Sequence, residues 1–518
     1  MIIRIQSLLL ASLLLATFSC KDKKEPQDSV PETTAYNETF RPQFHFTPPE
    51  KWMNDPNGLV YNEGVYHLFY QHYPEDIVWG PMHWGHAVSE DMIHWKHKPI
   101  ALYPDELGLI FSGSAVVDKN NTSGFGNSEN PPLVAIYTYH LMEGEKAGRK
   151  DFQTQGIAYS LDNGDSWTKF EGNPVIHNDG IKDFRDPKVF WHEESSKWIL
   201  ALVAGDHAKF YSSSNLKEWE LISEFGRDKG AHGGVWECPD LFKLRVDESD
   251  EERWVLLISI NPGAPNGGSG TQYFVGDFDG TTFTSNQTQA EWLDYGMDNY
   301  AGVTYNNVPT DDRVFIGWMS NWNYARDTPT EAWRSSMTLP RKITLHKDEN
   351  GYFLRNYPLP QFNDLTPDNL VFQDSISTSN PYTFEWDNLN QTELSFITDS
   401  SSNYSVTYSN ETGDQLCFQM LGESGELLFD RTRSGIVDFE ESFGKAIQKQ
   451  PFRPGKERTN VQIIMDASSA EIFVDGGKHV FTNQIFPNGP YTKLEISGPA
   501  NGTLEKFMIR KVQSIWHP

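Results

Sequence analysis

The chain has 518 residues, 38% of them apolar and 13% aromatic, so it is too long for one ordinary core and too apolar for a disordered polymer. Its 71 acidic residues against 43 basic ones give a formal net charge of −28, which repels phosphate backbones and sets nucleic acid aside as a partner. With 40 glycines and 30 prolines, short strands joined by turns are expected rather than long helices.

Residues 1–20 read as an export signal, with Arg4 as the positive start and an apolar stretch from Leu8 to Ala16 too short to span a bilayer. Small residues then lead into Cys20. This resembles the lipobox of bacterial lipoproteins, although Thr17 stands where leucine is usual. The resemblance implies lipidation of Cys20 and an outer-membrane lipoprotein facing the periplasm or the cell surface. Residues 21–37 are polar and charged, a flexible tether. Cys238 and Cys417 fall in different predicted domains, so free buried thiols are expected, not a disulfide.

Beyond the tether, runs at 65–71, 133–139, 197–203, 254–260 and 314–318 are short, β-branched or aromatic, and bounded by turn residues. The predicted class is all-β. A weak repeat runs through them: Ser89 to Trp95 is echoed by Ser160 to Trp167, by Ser214 to Trp219, and faintly by Asp277 to Gly280 before Phe283. Such spacing suits four-stranded propeller blades, five over residues 38–352; four unrelated hairpins would share the same turn chemistry. After about residue 350 tryptophan becomes scarce, and Asp475-Gly476-Gly477 reads as a hairpin turn. A linker at 353–372 and a C-terminal β-sandwich at 373–518 are expected.

Three carboxylates have unusual surroundings. Asp55 sits in Trp52-Met53-Asn54-Asp55-Pro56-Asn57-Gly58, Asp186 in Phe184-Arg185-Asp186-Pro187, and Glu237 in Trp236-Glu237-Cys238-Pro239. Each pairs an acid with a proline that fixes the backbone at a strand edge. Any one alone reads as a turn. Three on the inner strands of separate blades would converge on the propeller axis, where retaining glycoside hydrolysis needs a nucleophile and an acid/base close together.

Through these motifs the sequence resembles glycoside hydrolase family 32, the β-fructosidases that include invertases, inulinases and levanases. Further matching runs are Phe111-Ser112-Gly113-Ser114, Trp79 to His86, Asp294 to Ala301, Gly317 to Trp322, Trp333 to Arg341 and Asp466 to Val474. The resemblance covers roughly residues 40–515 and implies a five-bladed β-propeller followed by a β-sandwich. It also implies Asp55 as nucleophile, Glu237 as acid/base and Asp186 as transition-state stabiliser. Neighbouring donors should keep Asp55 ionised, and an apolar setting beside Trp236 and Cys238 should raise the Glu237 pKa. Asn54, Gln71, Trp79, Phe111, Ser112, Arg185, Tyr300 and Trp318 are implied substrate contacts, with Trp84 as a further apolar wall. The implied activity is exo-hydrolysis of terminal fructose from levan, inulin or both, and from sucrose. The alternatives are a sucrose-restricted invertase, a fructosyl transferase and a non-catalytic fructan-binding lipoprotein. No cofactor or metal is expected: His83, His86, His94 and His97 lack zinc spacing, and the acidic stretch around Asp298 lacks a calcium-loop pattern. The expected partners are the sugar substrate and, through Cys20, a membrane; no obligate protein partner is inferred.

Overall fold

The computed structural model describes residues 36–453 and 458–517; Cys20 and the tether up to residue 35 lie outside them. Among the described residues the one α-helix is Met142–Lys146. Five sheets follow one another in the chain. Blade 1 holds Lys51–Asn62, Val65–Tyr73, His83–Ser89 and Lys96–Leu102. Blade 2 holds Leu109–Val117, Leu133–His140, Gln153–Ser160 and Thr168–Lys169. Blade 3 holds Phe184–His192, Lys197–Ala204, Ala208–Ser213 and Glu220–Phe225. Blade 4 holds Val235–Arg245, Glu252–Asn261, Gly270–Phe278 and Phe283–Thr284. Blade 5 holds Tyr300–Thr304, Arg313–Met319, Arg341–Asp348 and Gly351–Pro358.

The first strands of successive blades pack on one another, and that of blade 5 on that of blade 1, so the five sheets form a closed propeller. The two-residue strand Trp333–Arg334 runs parallel to Lys51–Trp52 and latches the ring. The second strands are rich in apolar residues, and all eight residues of Leu133–His140 are buried, because both faces of that sheet meet a neighbouring blade. Each such aliphatic side chain contributes about 1.5–3 kcal/mol of burial free energy.

The weak sequence repeat has a physical basis. Between the third and fourth strands of blade 1, the Ser89 hydroxyl accepts from the Met92 amide and Asp91 accepts from the His94 amide. Ser160 and Asp162 do the same in blade 2, and Ser213 and Asn215 in blade 3. The blade 3 equivalent is therefore Ser213, one residue before the Ser214 of the sequence alignment.

The second domain is a sandwich of two six-stranded sheets. Strand Gln415–Leu421 shows the alternation this needs, with Leu416, Phe418 and Met420 buried and the residues between them half-buried. The connection is shorter than the expected 353–372. Residues up to Pro358 pair with Arg341–Asp348 in blade 5, and Asn369–Ser377 already pairs with Thr503–Lys511 in the sandwich. Both remaining cysteines are free; Cys238 is buried, and Cys417 is only half-buried because it faces outward on its strand.

The domains meet across a buried charged seam. Residues 294–298 run beside sandwich strand His479–Gln484, with the Tyr295 and Asp298 amides donating to Val480 and Thr482 carbonyls. Gly296 is required there, since a Cβ would sit 2.1 Å from the Thr482 carbonyl oxygen. Arg341 reaches Asp294 at 3.2 Å and Glu471 at 2.6 Å, and Arg431 reaches Asp298 at 2.6 Å and the Tyr324 hydroxyl at 2.7 Å. Asp298 is thus an ion-pair partner. Removing one member of a buried pair strands the other charge. Arg431→Met should therefore lower unfolding stability by about 3–5 kcal/mol in denaturant titrations. A cost below about 1 kcal/mol would show that the seam does not hold the domains together.

Candidate active site

Each innermost strand carries a register shift near the same mouth of the propeller. It falls between Met53 and Pro56 in blade 1, between Ile110 and Gly113 in blade 2, and opposite Ala201–Val203, at Asp186-Pro187, in blade 3. In blade 4 it lies between Glu237 and Asp240, and in blade 5 between Tyr300 and Val303. A bulge turns consecutive side chains that would otherwise alternate between faces, and aims them along the axis. Pro56, Pro187 and Pro239 sit in three of these bulges, where a missing N–H costs no ladder bond. Asp186, Cys238 and Ala301 adopt left-handed φ of 65°, 46° and 53° there. Such backbone is held only where the surroundings over-determine it.

The five bulges surround a pit of about 270 Å³ lined by Asn54, Asp55, Gln71, Trp79, Phe111, Ser112, Arg185, Asp186 and Glu237. Below it the axis is closed. Lys188 reaches the Thr304 carbonyl and lies 3.2 Å from Asp240, and Asn306 bridges the Ala115 and Val189 carbonyls. The pit is blind. A larger cavity of about 500 Å³ opens at the opposite mouth, but none of the three carboxylates lines it.

Asp55 accepts from the Ser112 hydroxyl at 2.6 Å and from the Asn54 amide at 3.0 Å. Asn54 is itself held by the Trp52 indole at 2.7 Å. Asp186 accepts from the Cys238 amide at 3.0 Å, while its own amide donates to Thr138, which donates on to Gln155. The Cys238 sulfur lies 3.7 Å from both Asp55 Oδ2 and Asp186 Oδ2. Arg185 donates twice to one oxygen of Glu237, at 2.9 and 3.2 Å, and once to Asp183 at 2.8 Å; its Nε is 3.9 Å from Asp186. The Tyr300 hydroxyl donates to the other Glu237 oxygen.

Burial, and next the charge of Glu237, push the Asp55 carboxyl up, over the opposing pull of Ser112 and Asn54. The expected control by neighbouring donors is present but outweighed. Burial raises Asp186 to about 7; the Glu237 and Asp55 charges add to it, and Arg185 opposes it. Burial also raises the Cys238 thiol, which is a neutral spacer and not a nucleophile. The apolar setting expected for Glu237 is absent. Trp236 points to the opposite face and donates to the Ala231 carbonyl, so the carboxylate faces Arg185 and Tyr300.

Of the predicted contacts, all but Tyr300 and Trp318 line the pit. Tyr300 lies behind Glu237, fully buried. Trp318 is core beneath Trp322, its ring 4.9 Å away, and Trp84 is core with its indole on the Phe111 carbonyl at 3.0 Å. Both belong to regular strands with the indole on the packed face. The structure adds His140, Glu145, Gln153, Asp183, Asn261, Trp322 and Arg326 to the lining. Phe111 stacks on His140 at 4.2 Å, His140 meets Glu145 at 3.1 Å, and Gln153 meets His140 at 3.1 Å. Trp322 had a signal, since it closes the Gly317–Trp322 run, and Asp183 directly precedes the Phe184–Pro187 motif; His140, Gln153 and Asn261 sit at strand ends and Glu145 lies on the short helix, without a motif.

Comparison with known proteins agrees with this geometry over nearly the whole chain. The model of the glycosyl hydrolases family 32 N-terminal domain matches residues 45–358, and that of the family's C-terminal domain matches 361–514. A levanase from Bacillus subtilis is 44% identical over 94% of this chain and 72% of its own length. An extracellular exo-inulinase from Aspergillus niger is 39% identical over 93% and 96%. Among solved structures, exo-inulinase from Aspergillus awamori superposes with a TM-score of 0.85 at 38% identity, covering 93% of this chain and all of that one. The β-fructofuranosidase from Schwanniomyces occidentalis in complex with fructosyl-erythritol gives 0.84 at 32%, covering 94% of this chain and all of that one.

The raised Asp186 makes a signed prediction. Its ionised form is disfavoured in the folded protein, where its pKa of about 7 lies above the 3.8 of a free aspartate. Wild type therefore loses stability from this group as pH climbs between the two values. Asp186→Asn should melt higher than wild type, by a margin that grows from pH 4 to pH 7.5. A margin independent of pH would contradict the assignment.

Proposed function

The chain belongs to glycoside hydrolase family 32, and from that membership we propose that it is an exo-acting, retaining β-fructosidase that releases terminal fructose from fructans and from sucrose. It is a glycoside hydrolase by family. The observation that carries the finer reading is the blind pit with Asp55, Asp186 and Glu237 at its lining. A closed floor admits a chain end and excludes a threaded polymer. The levanase and exo-inulinase relatives support the polymer substrate.

In this reading Asp55 attacks the anomeric carbon of the terminal fructose, positioned by Ser112 and Asn54. Glu237 protonates the departing oxygen and later takes a proton from water. Arg185 and Tyr300 fix that carboxyl from two sides. Asp186, placed by the bulge and the Cys238 amide, accepts from fructose hydroxyls as positive charge develops on the ring. Burial pushes the Asp55 and Asp186 carboxyls above the ordinary carboxylate range, so this pair holds a proton to higher pH than free carboxylates do. Trp79 and Phe111, edge to face with centroids 6.0 Å apart, supply an apolar wall. The extracellular relatives fit an exported protein; attachment to the outer membrane through Cys20 is part of this proposal.

Asp55→Ala and Glu237→Ala should each cut sucrose turnover by about 10³-fold or more while the protein remains folded. A near-normal rate in Asp55→Ala would refute double displacement. Because Asp55 must be ionised and its carboxyl lies above 3.8, kcat/KM should fall on the acid side with a midpoint above that value. Product analysis on levan, inulin and sucrose tests the rest. Fructose alone from a polymer supports exo-hydrolysis, short oligomers refute it, fructose from sucrose only indicates an invertase, and no release at all revives a binding protein.

A further inference from the structure

One loop side chain ties a wall of the pit to the sandwich. Loop 262–269 follows Glu252–Asn261, whose last residue, Asn261, lines the pit. Its tip carries Asn266, whose side chain bridges the propeller segment at Tyr295 and the sandwich. The amide nitrogen donates to the Lys449 carbonyl at 3.1 Å and to the Tyr295 carbonyl at 2.7 Å, while the amide oxygen accepts from the Lys449 N–H at 2.9 Å. Lys449 lies in Gln448–Pro451, the edge strand of its sheet. Its two outward backbone groups, which an edge strand leaves open, are thus both filled by one carboxamide acting as an extra peptide unit.

From Asn266 the loop carries this anchor to the rim. Ser269 donates to Asn261 Oδ1 at 3.1 Å and accepts from the Trp322 amide at 3.2 Å. Gly268, at φ 67°, lies so close to Asn321 that a Cβ would sit 2.1 Å from Asn321 Oδ1. The loop is therefore clamped between blade 5 and the sandwich. Asn261 and Trp322, both lining the pit, hang on its C-terminal end. Asn266 itself does not line the pit.

We propose that Asn266 is a positioning residue through which the sandwich sets the Asn261–Trp322 rim, and with it the enzyme's preference for fructan chains over sucrose. Asp55, Asp186 and Glu237 are held by other bonds, so the terminal fructose is bound without this anchor. The rim faces whatever follows the terminal residue, and a polymer presents more there than sucrose does. This rests on the β-fructosidase reading above, but part of the test does not.

The test compares Asn266→Ala, Asn266→Asp and Lys449→Ala with wild type on a fructan and on sucrose, with amide hydrogen exchange alongside. Asn266→Ala should exchange several-fold faster at 262–269, raise fructan KM about 3–10-fold, and leave sucrose kcat within about 2-fold. Asn266→Asp keeps the acceptor for the Lys449 N–H and should fall between the two. Lys449→Ala keeps its backbone groups and should match wild type. Unchanged exchange in Asn266→Ala overturns the anchor. Faster exchange with equal losses on fructan and sucrose overturns the specificity role. Failure of wild type to release fructose would count against the β-fructosidase reading, while the exchange result still decides the anchor.

Discussion

Five carboxylates, Asp55, Glu145, Asp183, Asp186 and Glu237, line one small pit with the guanidinium of Arg185, and the geometry of the mouth answers to that crowding. Like charges so close cannot all ionise at ordinary cost in a site that excludes water. Arg185 spends its planar fork on Glu237 and Asp183, which fixes the outer pair and leaves Asp186 only its more distant Nε. The inner pair is left with neutral donors, namely Ser112, Asn54 and the Cys238 amide, and both its members sit above the ordinary carboxylate range.

That arrangement depends on backbone, not on side-chain choice alone. An unbroken strand would send Arg185 and Asp186 to opposite faces. Five bulges at one mouth bring residues from five blades onto one axis, at the cost of left-handed backbone at Asp186, Cys238 and Ala301. The closed ring, its Trp333–Arg334 latch and the sealed axis at Lys188–Asp240 make that strain tolerable. The sandwich adds a second frame, through the Arg341 and Arg431 seam and through Asn266.

Much of this was legible in the sequence because three of the five bulges carry proline. Asp-Pro, Asp-Pro and Cys-Pro at strand edges marked where the ladder breaks, and hence where side chains converge. The third-turn Ser-x-Asp hydrogen bonds marked the blades. What stayed hidden needed three-dimensional contacts. Trp84 and Trp318 read as sugar walls, yet each is packed in a strand; Trp322, four residues on and past the strand end, is the one that reaches the pit. Trp236 suggested an apolar partner for Glu237 because adjacency in sequence was read as adjacency in space, which a strand denies. Asp294, Arg341 and Glu471, quoted as family motifs, turn out to join the domains rather than to meet substrate. His140 and Asn261 sit at strand ends and Glu145 on the short helix, where no local pattern marks a site.

The central claim is that Asp55, not another member of the crowded set, forms the bond to fructose. The most direct measurement is peptide mapping by mass spectrometry after the Glu237→Ala protein meets a fructosyl fluoride, whose leaving group departs without a proton while the missing base slows release. The account predicts the added mass of one fructosyl unit on the peptide containing Asp55. The same mass on the peptide containing Asp186, or an unmodified Asp55 while fluoride is released, would contradict it.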